Sequence, residues 1–369
     1  METIDWYKFS LWGKEKKYVR QALDSTWVSG GEYVNRFESA FASHLGLTNA
    51  YAVNNGTAAL QLAFLAIKIE PGDEVIVPSF GFMAAANVLK LMHAIPVFVD
   101  VKEDDWCINE NKVQEKITNK TKAIVTIHNY GVVSNVLQLQ NIARENDIYL
   151  IEDCAESIFS KQGEVYSGNY GDLSTFSFHA TKTISTGEGG LISCRNEELK
   201  DRIELIRSHG LRRGKKHYWH EYYGNNYRMS NILAAIGLAQ LEKIYDIVGE
   251  KQRVYDTYRA KLQHLPQIKF QSYPIDTSPV IWAVAISLQI ENVVTRRDGF
   301  LENLMDQGIE CRPGFYTANQ LNLSYGSNKN DFMVADKCAS SIIVLPSFPQ
   351  LTETQINKVS QSLLALLEE

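Results

Sequence analysis

An α/β fold built on a buried, mostly parallel sheet is predicted by three observations. Strand-like segments are continuous Val/Ile runs, helical segments alternate with them, and the alternation runs from about residue 50 to Leu241. Runs that are apolar at every position, rather than every second one, belong to strands covered by helices on both faces. The 369 residues exceed what one core usually serves, so a large domain over 1–245 and a smaller C-terminal α/β domain over 246–369 are expected.

The elements follow in order. Tyr51–Val53 is a short apolar strand, and Thr57–Ile67 has helical spacing. Glu74–Val77 reads as a strand, Phe82–Leu91 as a helix and Ile95–Val99 as a strand. Ala123–Ile127, a helix over Val136–Glu145 and the strand Tyr149–Glu152 continue the pattern. Beyond Leu241, charge-rich helical sequence over Glu242–Leu265 leads to a strand at Val280–Leu288, a helix at Arg296–Gln307 and a terminal helix over Thr352–Glu369, capped by Thr352. Open sheets of this kind bind ligands beyond the carboxyl ends of their strands, so the informative residues are those just after each strand.

Bulk properties narrow the function. A net charge of −6 argues against nucleic-acid binding, which relies on clustered Lys and Arg. Five scattered cysteines with no C-x-x-C pair suit neither a disulfide framework nor a zinc site, and point to a reducing cytoplasm. No stretch reaches the roughly 18 apolar residues of a membrane span, and the start lacks a signal-peptide layout. A nicotinamide-binding Rossmann reading fails because the Gly187–Gly190 run does not follow a first strand.

Four strand-end segments carry chemistry. Asn54 to Leu60 is a turn entering a helix, where Gly56 permits close backbone approach, Thr57 adds a hydroxyl and free N–H groups suit a phosphate. In Pro78 to Ala84, Phe82 can stack on a flat heterocycle, although an aromatic there is more often core. In Ile151 to Glu156, Asp153 can pair with a protonated ring nitrogen, or cap a following helix. In Phe176 to Gly190, Lys182 occupies a polar, glycine-bordered loop where an amine can form a Schiff base, with Ser177 close enough in sequence to share the phosphate.

Together, Asn-Gly-Thr-x-Ala-Leu, Glu-Asp-x-Ala-Glu and Ser-Phe-His-x-Thr-Lys-x-x-x-Thr-Gly-Glu-Gly-Gly resemble the DegT/DnrJ/EryC1/StrS family, from Trp27 to Glu353. The resemblance implies a fold-type I pyridoxal-phosphate transferase with a mostly parallel seven-stranded sheet. It implies that Lys182 carries the cofactor, Asp153 faces the pyridine nitrogen, Phe82 stacks on the ring, Gly56, Thr57 and Ser177 hold the phosphate, and Glu156 lies by the phenolic oxygen. Asn226, in Tyr218 to Ser230, matches an Asn lent to the phosphate by a neighbouring subunit, which implies a homodimer with a shared site. Two departures concern the substrate side: Gly81 stands where Thr is usual, and Asn225 where Tyr is common.

The implied reaction takes the amino group of L-glutamate, releases 2-oxoglutarate and aminates a nucleotide-linked keto-6-deoxyhexose, in surface polysaccharide or O-antigen synthesis. The runs Tyr218 to Glu242 and Gly308 to Pro313 look most like 4-amino-sugar (perosamine-type) synthases, while the Lys182 motif also occurs in 3-aminotransferases. A related dehydratase branch has His in place of the lysine, and Lys182 argues against it. Trp219, His220, Arg228 and Arg312 are candidates for holding the nucleotide sugar, since pyrophosphate attracts cations and hexoses pack on aromatics. No metal is expected.

Overall fold

A computed structural model describes residues 3–212, 216–321, 323, 325 and 332–368. Helices α1 (Glu15–Asp24) and α2 (Glu32–Leu45) precede the main sheet. Strands β1 (Tyr51–Val53), β2 (Glu74–Pro78), β3 (Ile95–Val99), β4 (Thr121–Ile127) and β5 (Tyr149–Asp153) come next. Between them lie α3 (Gly56–Ala66), α4 (Ala84–Leu91), the single turn α5 (Glu110–Val113) and α6 (Val136–Glu145). A small hairpin, β6 (Lys161–Gln162) and β7 (Val165–Tyr166), precedes β8 (Leu173–Ser177) and β9 (Gly190–Cys194).

Seven strands form one sheet in the order β1-β9-β8-β5-β4-β2-β3. The pairs β2–β3, β2–β4, β4–β5 and β5–β8 are parallel, while β9 runs antiparallel to both β1 and β8. β1 therefore points the same way as β8, and the carboxyl ends of β1, β2, β4, β5 and β8 share one edge. Every residue of β1, β8 and β9 is buried, as expected of strands with both faces covered.

Helix α7 (Glu197–Arg207) packs on this sheet, the apolar α8 (Asn231–Leu241) packs against α1 and α2, and α9 (Ile244–Leu262) follows. A four-stranded antiparallel sheet follows, ordered β10 (Ile268–Phe270), β12 (Ala285–Leu288), β14 (Ile342–Val344) and β13 (Arg312–Pro313). The two-residue β11 (Thr277–Ser278) instead joins β6. Helices α10 (Val293–Asp306), α11 (Met333–Ser341) and α12 (Glu353–Glu368) cover the second sheet. Ile4, from the other end of the chain, packs in that core beside Ile309.

Two expected elements are shorter than the sequence suggests. The helix expected from Phe82 starts at Ala84, because Gly81 at φ +143° turns the chain first. The strand expected over Val280–Leu288 pairs only from Ala285. Upstream of it the backbone donors go elsewhere: Val280 to Ser160 Oγ, Trp282 to the Tyr130 carbonyl and Val284 to Ser347 Oγ. Thr352 caps α12 as expected, its Oγ1 accepting from the Gln355 amide.

Candidate active site

The site gathers at the carboxyl edge of the main sheet. Asn55 caps α3 by accepting from the Ala58 amide at 2.8 Å, which leaves Gly56 at the first helical position. A Cβ placed on Gly56 would lie 2.9 Å from the Cβ of Ser177, at the end of β8. Gly190 is as tightly placed against Asn55, where a Cβ would lie 2.5 Å from the carbonyl. Glycine at both positions lets the turn after β1 and the end of β8 close up. The result is a niche in which the Ser177 hydroxyl and the N-terminus of α3 meet, with Thr57 exposed beside them.

Adjacent residues of β5 separate by alternation. Glu152 is fully buried on the scaffold side, accepting from the amides of Tyr170 (2.7 Å), Gly171 (2.6 Å) and Gly168 (2.9 Å) and from His128 Nε2 (3.1 Å). The Ser134 amide donates to His128 Nδ1, which leaves the ring proton on Nε2 for Glu152. Burial pushes the Glu152 carboxyl up, but His128 and these amides outweigh it and hold the carboxyl low. Asp153 faces the other way. The only hydrogen bond to its carboxylate among the described residues comes from the Ala155 amide at 3.0 Å, and no helix follows for it to cap. Burial pushes its carboxyl above the ordinary aspartate range, against the pull of that amide, Lys182 and His128. A buried carboxylate so thinly compensated is matched by a proton or a cationic partner.

Lys182 Nζ lies 3.5 Å from Glu156 Oε1. Glu156 Oε2 accepts from the Tyr130 amide at 2.8 Å, and burial raises this carboxyl too. Tyr130 has a left-handed backbone (φ 56°), packs parallel to Phe315 with centroids 5.2 Å apart, and belongs to the turn after β4. Phe82 is 63% exposed, with Phe315 edge-on at 6.3 Å. Trp282 places its ring centroid 3.7 Å from Lys182 Nζ. Tyr130, Phe315 and Trp282 escaped the sequence reading. His128 to Gly131 follows a strand and was legible by the same strand-end rule, whereas Trp282 sits inside an apolar run and carries no local signal.

The remaining candidates lie farther out. The described residues 208–212 and 216–226 belong to an excursion closed by bridges between Ser208 and Asn226 and between Leu211 and His220. His220 donates from Nδ1 to the His209 carbonyl (2.6 Å) and lines an open cavity of about 530 Å³ with Tyr222 and Tyr223. Trp219 is exposed, with the Lys216 amine 5.1 Å from its centroid. Asn226 is exposed and accepts from Arg228 Nε at 3.2 Å; Arg228 itself runs beside Val53 at the end of β1. Arg312 pairs with Glu310 and lies over Trp6, one ring removed from Trp282. Thus Lys182, Asp153, Glu156, Gly56, Ser177 and Phe82 share the sheet edge, whereas Trp219 and His220 stand on the excursion.

The donor set fits pyridoxal phosphate. The niche between Gly56 and Ser177 offers N–H and O–H donors to a phosphate, the under-compensated Asp153 suits a protonated pyridine nitrogen, and the Lys182 amine is held within the same edge.

Comparison with known proteins agrees in scale and kind. A GDP-perosamine synthase of Escherichia coli O157:H7 is 40% identical over 364 residues, covering 98% of each chain. A GDP-perosamine synthase of Vibrio cholerae is 38% identical over 356 residues, covering 96% of each. The solved aminotransferase TlmJ of Streptoalloteichus hindustanus superposes with a TM-score of 0.93 at 26% identity, covering 99% of each chain. With the model of the DegT/DnrJ/EryC1/StrS aminotransferase family matching residues 11–364, the chain belongs to that family.

Proposed function

We propose that the protein is a pyridoxal-phosphate-dependent aminotransferase that moves the amino group of L-glutamate onto carbon 4 of a nucleotide-linked 4-keto-6-deoxyhexose. The observation that carries this reading is the near full-length identity of about two residues in five with a GDP-perosamine synthase, in a chain that keeps Lys182. The same relatives favour a GDP carrier.

When bound, the cofactor supplies an electrophilic carbon and an electron-accepting ring. Lys182 Nζ would hold it and, once freed by the incoming amine, would take the proton from the glutamate α-carbon and deliver it to the cofactor carbon, the reverse transfer serving the keto sugar. Asp153 keeps the ring nitrogen protonated. Glu156 steadies the Lys182 amine through Oε1 while the Tyr130 amide fixes Oε2. Gly56, Thr57 and Ser177 hold the phosphate, and Phe82 covers the ring.

The working unit in this reading is a homodimer. Asn226 reaches the phosphate of a neighbouring subunit's cofactor in this reading, and Trp219, His220, Arg228 and Arg312 receive the nucleotide sugar. In support of a partner, the aromatic side chains of Trp27, Tyr218, Trp219 and Tyr223 are each more than half exposed. We also place the division between the large and small domains near residue 245, at the start of α9, and assign the enzyme to the cytoplasm. Among the described residues no helix is long and apolar enough to cross a membrane.

The test is direct. Protein loaded with pyridoxal phosphate is mixed with L-glutamate, and absorption and released 2-oxoglutarate are followed; GDP-, dTDP- and UDP-linked 4-keto-6-deoxyhexoses are then supplied. The expected outcome is conversion to the amine form of the cofactor and an amino sugar made from the GDP substrate, both abolished by Lys182→Ala. Absence of 2-oxoglutarate from the wild type refutes the reading.

A further inference from the structure

Trp282 lies on the irregular stretch before β12 and is 7% exposed. All its polar groups are engaged. The indole Nε1–H donates to the Thr181 carbonyl at 2.7 Å, the amide donates to the Tyr130 carbonyl at 3.0 Å, and the carbonyl accepts from Lys251 Nζ at 2.8 Å. These bonds reach three separate elements: the loop after β8, the turn after β4 and helix α9. Tyr130 stacks parallel to the indole at 6.2 Å and Trp6 meets it edge-on at 6.1 Å. With neighbours on several sides and three bonds, the indole has one orientation. Its face is presented to Lys182 Nζ, 3.7 Å from the ring centroid.

We propose that Trp282 is a positioning residue for Lys182, its indole face holding the lysine amine beside Glu156 whenever that amine is not bonded to the cofactor. The proposal rests on the reading of Lys182 as the cofactor-bearing lysine. Amine and indole meet at cation–π distance, and an attraction of this kind strengthens when both partners are withdrawn from water. Lys182 is largely buried, with its side chain 12% exposed. The charged groups around the amine are Glu156, in contact, and Asp153, which feels its field. The bond from Trp282 to Thr181 ties the indole to the residue preceding Lys182, so ring and lysine loop move as one unit. Lys251, buried and bonded to the Trp282 carbonyl, anchors the unit from α9.

A side chain that merely fills space is replaceable by another of similar bulk, whereas an aromatic face is not. Competitive labelling of Lys182 by an amine reagent, in protein free of cofactor, separates the two roles. Labelling is read by peptide mass against the exposed Lys120. Trp282→Met leaves an apolar side chain not far from phenylalanine in bulk but loses the face, and is expected to raise Lys182 labelling about tenfold. Trp282→Phe keeps a face and loses the N–H, and is expected to stay within about threefold of wild type. Equal labelling in the two variants, whether raised or not, overturns the proposal. If the methionine chain does not melt cooperatively, the phenylalanine chain decides alone, and a rise of about tenfold or more there overturns it. Attachment of the cofactor to wild-type Lys182 is read separately by borohydride reduction and peptide mass. Failure of that measurement refutes the functional reading, while labelling without cofactor still judges the positioning of the amine.

Discussion

A Cβ on Gly56 would stand 2.9 Å from the Cβ of Ser177, closer than two such atoms approach in folded proteins. The turn after β1 and the end of β8 are therefore joined by the lack of a side chain, and the niche between them has a fixed width. Gly56→Ala is expected to push the two segments apart and to weaken pyridoxal-phosphate binding about tenfold or more, since charge-assisted hydrogen bonds to a phosphate depend on that width. Titration of cofactor-free protein followed by absorbance measures it; unchanged affinity in a folded variant contradicts the role of the niche.

Glu156 connects the turn after β4 to Lys182. Glu156→Ala removes the acceptor for the buried Tyr130 amide and is expected to cost roughly 1–3 kcal/mol of stability. Glu156→Gln keeps an acceptor for that amide but loses the charge beside Lys182. It is expected to recover most of the stability and little of the turnover. Denaturant unfolding and steady-state rates, measured on both variants, separate these contributions.

Asp153 has its folded carboxyl raised by burial, so the native state without cofactor holds this proton more tightly than the unfolded chain does. The penalty is absent below the ordinary carboxylate range, grows as pH rises from it toward the raised value and levels off above that value. At pH 7 cofactor-free Asp153→Asn is accordingly expected to melt roughly 2 °C above cofactor-free wild type. Loaded with pyridoxal phosphate the order should reverse, because only the carboxylate pairs with the ring cation. Scanning calorimetry on the four samples is the check, and the same order with and without cofactor contradicts the assignment.

Lys251 is fully buried, and burial alone brings its ammonium down to about 7. Between that value and the ordinary lysine range of about 10.5 the unfolded chain binds more protons, so this residue makes stability rise with pH. Lys251→Met removes the dependence. The variant's melting temperature relative to wild type is expected to be highest at pH 7 and below, and to decline steadily toward pH 10. A difference that does not change with pH across this window excludes a neutral buried lysine.

Much of the main sheet is legible in the sequence because the burial pattern is local. Strands covered on both faces need continuous apolar runs, and these locate β2, β3, β4 and β5 to within a residue or two. Six candidates, Gly56, Phe82, Asp153, Glu156, Ser177 and Lys182, each follow or close a strand, and parallel packing brings strand ends to one edge. Asn226, Arg228, Trp219 and His220 share a local segment, yet nothing in their spacing says which surface they serve.

What the sequence determined by itself was the kind of fold and the residues at its working edge, since both depend on short-range periodicity and on turns. What tertiary structure alone decided is which side chains meet across long separations. Trp282 reaches Lys182 only because its backbone donors leave the strand pattern for Tyr130 and other distant partners, and Glu152 parts from Asp153 because consecutive strand residues face opposite sides. Such contacts depend on loop closure and three-dimensional packing, and no window of neighbouring residues encodes them.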